Sequence, residues 1–196
     1  MKEQFDFYAY INRMKYIVRW GLMRNTNSEN IQEHSLVVAI FAHALTIIHN
    51  KLCGSEELSP DKACVYGVFH DAAEIITGDL PTPVKYYNPV IKANYQDIED
   101  VAKEKLLSML PEDMEEIYRP ILFYENNDEK YYPIVKAADK LSAYIKCAEE
   151  VKAGNREFVK AMEATRKSLD ESDLPEVRYF MDHYMEGFNK TLDEMN

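Results

Sequence analysis

Four prolines divide this chain into helix-length segments, and that punctuation constrains the fold more than any other feature. Pro60 follows Ser59, Pro89 follows Asn88, Pro133 follows Tyr132, and Pro111 stands just beyond Leu110. A proline in the first helical turn costs no intrahelical hydrogen bond, and a preceding Ser or Asn can cap the turn. Between these marks, apolar residues recur at helical spacing in nearly every window. β-branched alternation is almost absent, and six glycines are few for 196 residues.

The expected helices start near residue 5, where Tyr8, Ile11, Met14 and Val18 share a face up to about residue 18. Arg19–Asn30 breaks the pattern and reads as a loop. Asn30 with Glu33 three residues on is a capping-box signature, opening a helix to about Leu52. Ser59-Pro60 opens a helix to about Thr77, stopped by Gly78. Further helices are expected from Pro89 to about Leu110 and from Pro111 to Pro120, which ends or kinks it. Residues 125–130 read as a polar loop. Tyr132-Pro133 opens a helix that Gly154-Asn155 ends, and two more run over about 156–171 and 175–194. The expectation is one all-α domain of about eight helices over 1–196, with residues 156–194 as a C-terminal extension packed on it.

Composition narrows the function. A formal net charge of −11 and a sequence pI near 5.0, without a Lys/Arg run, disfavour a nucleic-acid polymer as partner. Small anions remain acceptable if a metal ion or an arginine reverses the sign locally. Cys53, Cys64 and Cys147 match no zinc-ribbon or redox spacing and read as reduced thiols. No signal segment opens the chain, and no apolar run is read as approaching the ~18 residues of a spanning helix. A soluble, cytoplasmic protein with no membrane partner is expected.

The chemistry concentrates in FHDAAEIITGDLPT, residues 69–82. His70 and Asp71 are expected in mid-helix, with Glu74 at i+4 from the histidine. Ionisable groups among apolar neighbours need a compensating partner if they point inward, and a divalent cation is the simplest. Two other apolar helices carry isolated donors: His34, ahead of SLVVAIFAHAL, and Asp139, in VKAADKLSAYI. Each has an ordinary alternative, as a first-turn helix residue or a buried aspartate at a helix end. Together, His34, His70, Asp71 and Asp139 make a His₂Asp₂ set from three helices, suited to Mn, Fe, Co, Ni or Zn and not to calcium.

The order of these residues resembles the HD-domain metal-dependent phosphohydrolases. RWGLMRN at 19–25, ENIQEHS at 29–35, HDAAEIITGDLPTPVKYYN at 70–88 and KAADKLSAYIKCAEE at 136–150 together resemble the bacterial 5′-deoxynucleotidases. The resemblance implies hydrolysis of deoxyribonucleoside 5′-monophosphates, with one divalent transition metal ion per subunit, cobalt, manganese or similar. It implies His34, His70, Asp71 and Asp139 as metal ligands, and Glu74, Asp79 and Arg19 as catalytic residues. Arg19, Trp20, His34, Asp71, Asp79, Leu80, Pro81, Thr82 and Asp139 are implied at the substrate. It also favours a homodimer.

The residues themselves leave roles open. Glu74 could orient or deprotonate the attacking water, or bond a ligating histidine. Asp79 could donate a proton to the 5′-oxygen, or simply make an Asx turn. Arg19 offers a planar fork to a phosphate, and Trp20 a flat face to a sugar or base. Lys140 either faces solvent or reaches the phosphate. His43, half a turn off the His34 face, His49, near the helix end, and His183 are expected outside the site. Rival readings are a phosphohydrolase of nucleoside triphosphates or cyclic diesters, and a helical binding module that keeps a metal for stability alone. A di-iron bundle would need Glu-x-x-His motifs that the chain lacks.

Overall fold

The computed structural model describes residues 4–54, 57–85 and 87–195. Among them every regular element is helical, as expected. α1 (Phe7–Ile11) passes into a 3₁₀ turn over Asn12–Tyr16 in place of one helix to residue 18. The long elements are α2 (Ile31–Cys53), α3 (Pro60–Phe69), α6 (Pro89–Leu107), α7 (Glu112–Leu122), α9 (Tyr132–Lys152), α10 (Val159–Asp170) and α11 (Pro175–His183). Short helices α4 (Glu74–Thr77), α5 (Thr82–Lys85) and α8 (Tyr124–Asn127) link them.

The start signals work as the sequence implies. Asn30 Oδ1 accepts from the N–H groups of Gln32 and Glu33, and Glu33 returns a carboxylate to the Asn30 N–H. Ser59 and Asn88 cap α3 and α6 through the N–H groups of Lys62 and Ile91. Gly54 and Gly154 end α2 and α9 at φ +53° and +90°, where an L side chain is disfavoured.

Several boundaries differ. The helix from Pro60 does not run to Thr77; it stops at Phe69, and 70–73 form a tight turn. Backbone bonds there shorten to i−3, with Ala72 N–H to Phe69 and Glu74 N–H to Asp71. Pro120 neither starts nor ends α7; the break comes at Phe123. Part of 125–130 is helical, as α8. The segment 175–194 is α11 followed by 3₁₀ turns at Met185–Asn189 and Leu192–Met195.

α2 is the central helix, packed by α3, α9 and α11. Its Val38, Ala42 and Leu45 join Leu141, Val177 and Phe180 in the main core. A second cluster gathers Phe7, Ala72, Leu106, Leu107 and Leu122. The reading that no apolar run approaches spanning length fails for α2, whose mean hydropathy over 18 residues is 1.6. Length and composition alone qualify it; here it serves as the core helix. At Gly67 of α3 a Cβ would lie 2.6 Å from Ala39 Cα of α2, so only glycine permits this approach.

The loop before α2 is tied down by Glu150, on the last turns of α9. Its carboxylate accepts from the N–H groups of Thr26 and Asn27 at 2.8 and 3.1 Å, from Lys146 Nζ and from Asn155 Nδ2. Burial favours the neutral acid, but these donors hold the Glu150 carboxyl well below its usual range. That stabilisation is complete above the unfolded-chain value of about 4.3 and is lost as pH falls through the folded value. Glu150→Gln should therefore cost about 3 kcal/mol at pH 7, with the gap to wild type shrinking in urea titrations at pH 3. A gap that stays constant with pH would reject the assignment.

Candidate active site

The turn after α3 is where the chemistry collects. His70 closes α3, and its Nδ1 donates to the Gly67 carbonyl at 2.8 Å. That bond fixes the ring and leaves Nε2 facing Asp71, whose Oδ2 is 3.0 Å away. His34 enters from the first turns of α2. Its Nδ1 meets Ser142 Oγ at 3.0 Å, and its Nε2 stands 3.5 Å from Asp71 Oδ2 and 3.2 Å from Asp139 Oδ1. The two imidazoles are 5.1 Å apart, centre to centre. The structure thus gathers His34, His70 and Asp71, and Asp139 adjoins them through His34. One atom each from His34, His70 and Asp71 lies within 4.8 Å of the others.

The fit to a cation rests on two orphaned atoms. His34 Nε2 and His70 Nε2 are buried, and neither makes a hydrogen bond of acceptable geometry. Both imidazoles are bonded through Nδ1, which is how ligating histidines are held. Burial works against a charged His34, and the Arg19 guanidinium lowers its pKa further. Burial also opposes charge on His70, but Asp71 beside it and Asp139 beyond raise its pKa. Burial opposes ionisation of Asp71 and Asp139, yet their pKa values fall. His70, His34 and Arg19 pull Asp71 down, and His34 and Lys136 pull Asp139 down.

Glu74, at the start of α4, is 7% exposed, and its Oε2 has no partner. Burial, with Asp71 and Asp79 nearby, raises its pKa well above the usual carboxylate range. Asp79 follows the Gly78 stop, and its Oδ2 accepts the Trp20 N–H at 3.1 Å. Burial raises its pKa, while Arg19 and that N–H moderate the rise.

Trp20 sits at φ +60°, a rare conformation for so large a residue. The Asp79 contact and a turn closed from the Met23 N–H to the Trp20 carbonyl hold it there. Its ring packs on Phe158. Arg19 Nη1 and Trp20 Nε1 both donate to Glu29 Oε2, at 2.7 and 3.2 Å. Arg19 is only 12% exposed, and burial alone would depress its pKa; Glu29, Asp139, Asp71 and Asp79 raise it.

Beyond Arg19 opens a cleft of about 520 Å³. Arg19, Trp20, Leu22 and Met23 line one side, Asp79 and Pro81 another, and Ala161, Ala164 and Thr165 of α10 a third. Leu80 is half-buried and does not line it. Thr82 begins α5, but its side chain lies outside the described residues.

Three positioning residues escaped the sequence reading. Glu29 orients both Arg19 and Trp20, and Ser142 holds His34. Lys136, not Lys140, faces the site: its Nζ is 4.0 Å from Asp139 Oδ2, one turn before it, whereas Lys140 is exposed. Burial opposes the charge on Lys136, but Asp139, Tyr124 and Asp71 raise its pKa. His43 pairs with Asp61, and His183 stacks on Tyr179, both away from the site.

A family model described as 5′-deoxynucleotidase YfbR-like matches residues 6–188. The chain belongs to that family. It is 48% identical to a 5′-deoxynucleotidase of Photobacterium profundum over 99% of this chain and all of the relative. It is also 48% identical to one of Shewanella oneidensis, over 96% of each chain. Among solved structures, an HD-domain phosphohydrolase of Listeria innocua aligns over 97% of this chain and 91% of its own. The TM-score is 0.82 and the identity 20%. The cyanophage S-2L HD phosphohydrolase DatZ, solved with dA and one catalytic Zn²⁺ ion, aligns over 97% and 99% with a TM-score of 0.61 at 24% identity. At these identities both structures speak to the fold, which is that of the HD phosphohydrolases.

Ser142→Ala should free the His34 ring and weaken divalent metal affinity by roughly 10–100-fold. Calorimetric metal titration reads the change; an unaltered affinity would remove Ser142 from the site.

Proposed function

We propose that this protein hydrolyses deoxyribonucleoside 5′-monophosphates to the deoxynucleoside and phosphate, using a metal-activated water. The observation that carries the site is the pair of buried, unbonded Nε2 atoms of His34 and His70 beside the ionised Asp71 and Asp139. His34, His70, Asp71 and Asp139 would hold one divalent transition metal, of the cobalt or manganese class. Such an ion supplies positive charge against a phosphate oxygen and lowers the pKa of bound water.

The chain's own residues do the rest. Asp71, Asp139, Asp79, Glu74 and Glu29 make a strongly acidic site, which would repel a phosphate dianion without a cation. Arg19, fixed by Glu29, presents its guanidinium to the phosphate. Lys136 adds charge beside Asp139. Glu74, buried next to Asp71, accepts a proton from the attacking water. Asp79 stands at the cleft mouth, where it donates a proton to the departing 5′-oxygen. Trp20 and Pro81, which line the cleft, border the nucleoside. The cleft falls in the size range of small-ligand sites. Residues 156–194 work as part of the same unit, since Phe158 backs Trp20 and α10 walls the cleft.

A phosphate-release assay across nucleoside mono-, tri- and cyclic phosphates, in deoxy and ribo forms, tests the substrate. Deoxy monophosphates should have the highest kcat/KM; equal values for ribo forms would sink the sugar preference, and faster triphosphate turnover would replace the reading. Asp79→Asn keeps an acceptor for the Trp20 N–H and removes only the proton. It should lower kcat about 10²–10⁴-fold on a nucleoside ester and far less on an ester with a good leaving group. Equal impairment on both would end the general-acid role.

A cytoplasmic homodimer completes the proposal. The free thiols Cys53, Cys64 and Cys147 suit a reducing compartment. Leu36, Ile40 and Ile47 leave an exposed apolar face on α2 that suits a second copy of the chain. Light scattering should give twice the 22.9 kDa chain mass; a monomer at micromolar concentration would reject the dimer.

A further inference from the structure

A second group of metal-binding side chains lies at the other end of α2. His49 and Cys53 are four residues apart on one helix face, and Glu176, in the first turn of α11, meets them. His49 Nδ1 is 3.3 Å from Glu176 Oε1. One donor atom from each of the three residues lies within 4.8 Å of the other two.

Glu176 is the telling member. Its side chain is 0% exposed, and Oε2 has no hydrogen-bond partner. His49 satisfies one oxygen and leaves the other buried and unmet, an arrangement that burial penalises. Cys53, the last residue of α2, is an exposed free thiol, so the cluster opens to solvent on that side.

We propose that His49, Cys53 and Glu176 form a second metal site, for a zinc-class ion, that ties α11 to α2. An imidazole, a thiolate and a carboxylate make a borderline-soft set that suits Zn²⁺ and disfavours Mg²⁺ or Ca²⁺. Zinc bonds of 2.0–2.3 Å put tetrahedral donors about 3.3–3.8 Å apart, so the cluster closes on an ion with shifts of about an ångström. Water takes the fourth position on the Cys53 side. Binding replaces the thiol proton with the metal and releases that proton to solvent. The site is fifteen residues from His34, roughly 22 Å along α2, and touches none of the reacting groups. Its effect is mechanical: α11 carries Phe180, which packs on Phe41 of α2 at 5.4 Å.

Cobalt(II) is the probe, because a thiolate ligand adds a near-ultraviolet charge-transfer band that a His₂Asp₂ shell lacks. Wild-type protein titrated with Co²⁺ beyond the first equivalent should develop that band, saturating at one thiolate-bound cobalt per chain. Cys53→Ser should abolish it and Glu176→Gln should weaken cobalt affinity at least tenfold. Added Zn²⁺ should bleach the wild-type band and raise Tm in wild type more than in Cys53→Ser. Absence of a thiolate band under excess cobalt, or an undiminished band in Cys53→Ser, would overturn the proposal. Cys53 is exposed, so its serine variant decides the matter even if Glu176→Gln folds poorly.

Discussion

The close passage of α3 over α2 at Gly67 sets the geometry of the whole centre. With no Cβ to hold the backbones apart, the Gly67 position sits against Ala39. The same residue's carbonyl then receives His70 Nδ1 one turn later. One glycine therefore both permits the approach and orients the imidazole that the approach delivers. His34, five residues before Ala39 on α2, arrives opposite, and α9 brings Asp139 and Ser142 in together. A polar cluster survives inside an apolar bundle because each imidazole is pinned through Nδ1, His70 by a backbone carbonyl and His34 by a hydroxyl, and the two aspartates pair with them.

The Arg19–Trp20 segment is assembled differently. It lies on a loop, and loops hold position only when their polar groups find partners. Glu150 takes two backbone N–H groups, Glu29 takes the Arg19 and Trp20 side chains, and Asp79 takes the Trp20 N–H. Three carboxylates thus fix one loop, and the positive φ at Trp20 is what those bonds sustain.

Much of this was legible in the sequence, for identifiable reasons. Caps and prolines act locally, so Asn30, Ser59 and Asn88 announced their helices. The expected ligands stood out because each is an ionisable residue among apolar neighbours. What was hidden depends on contacts distant in sequence. Ser142 meets His34 across 108 positions, and nothing local distinguishes it. Lys136 and Lys140 flank Asp139 at three residues and one; helical geometry favours the i−3 neighbour, a signal that adjacency masked. The halt of α3 at Phe69 was equally invisible, since no Gly or Pro stands at 70–73 to mark it.

The cleft wall has a consequence for how such an enzyme can diverge. Ala161, Ala164 and Thr165 belong to α10, which supplies none of the His₂Asp₂ donors. Their small side chains set the room left for whatever occupies that side. Enlarging or polarising them would reshape the cleft without replacing any of the His₂Asp₂ side chains. The α10 wall of the cleft and the His₂Asp₂ cluster are therefore encoded in separate stretches of the chain, and substitution in one leaves the other's residues in place.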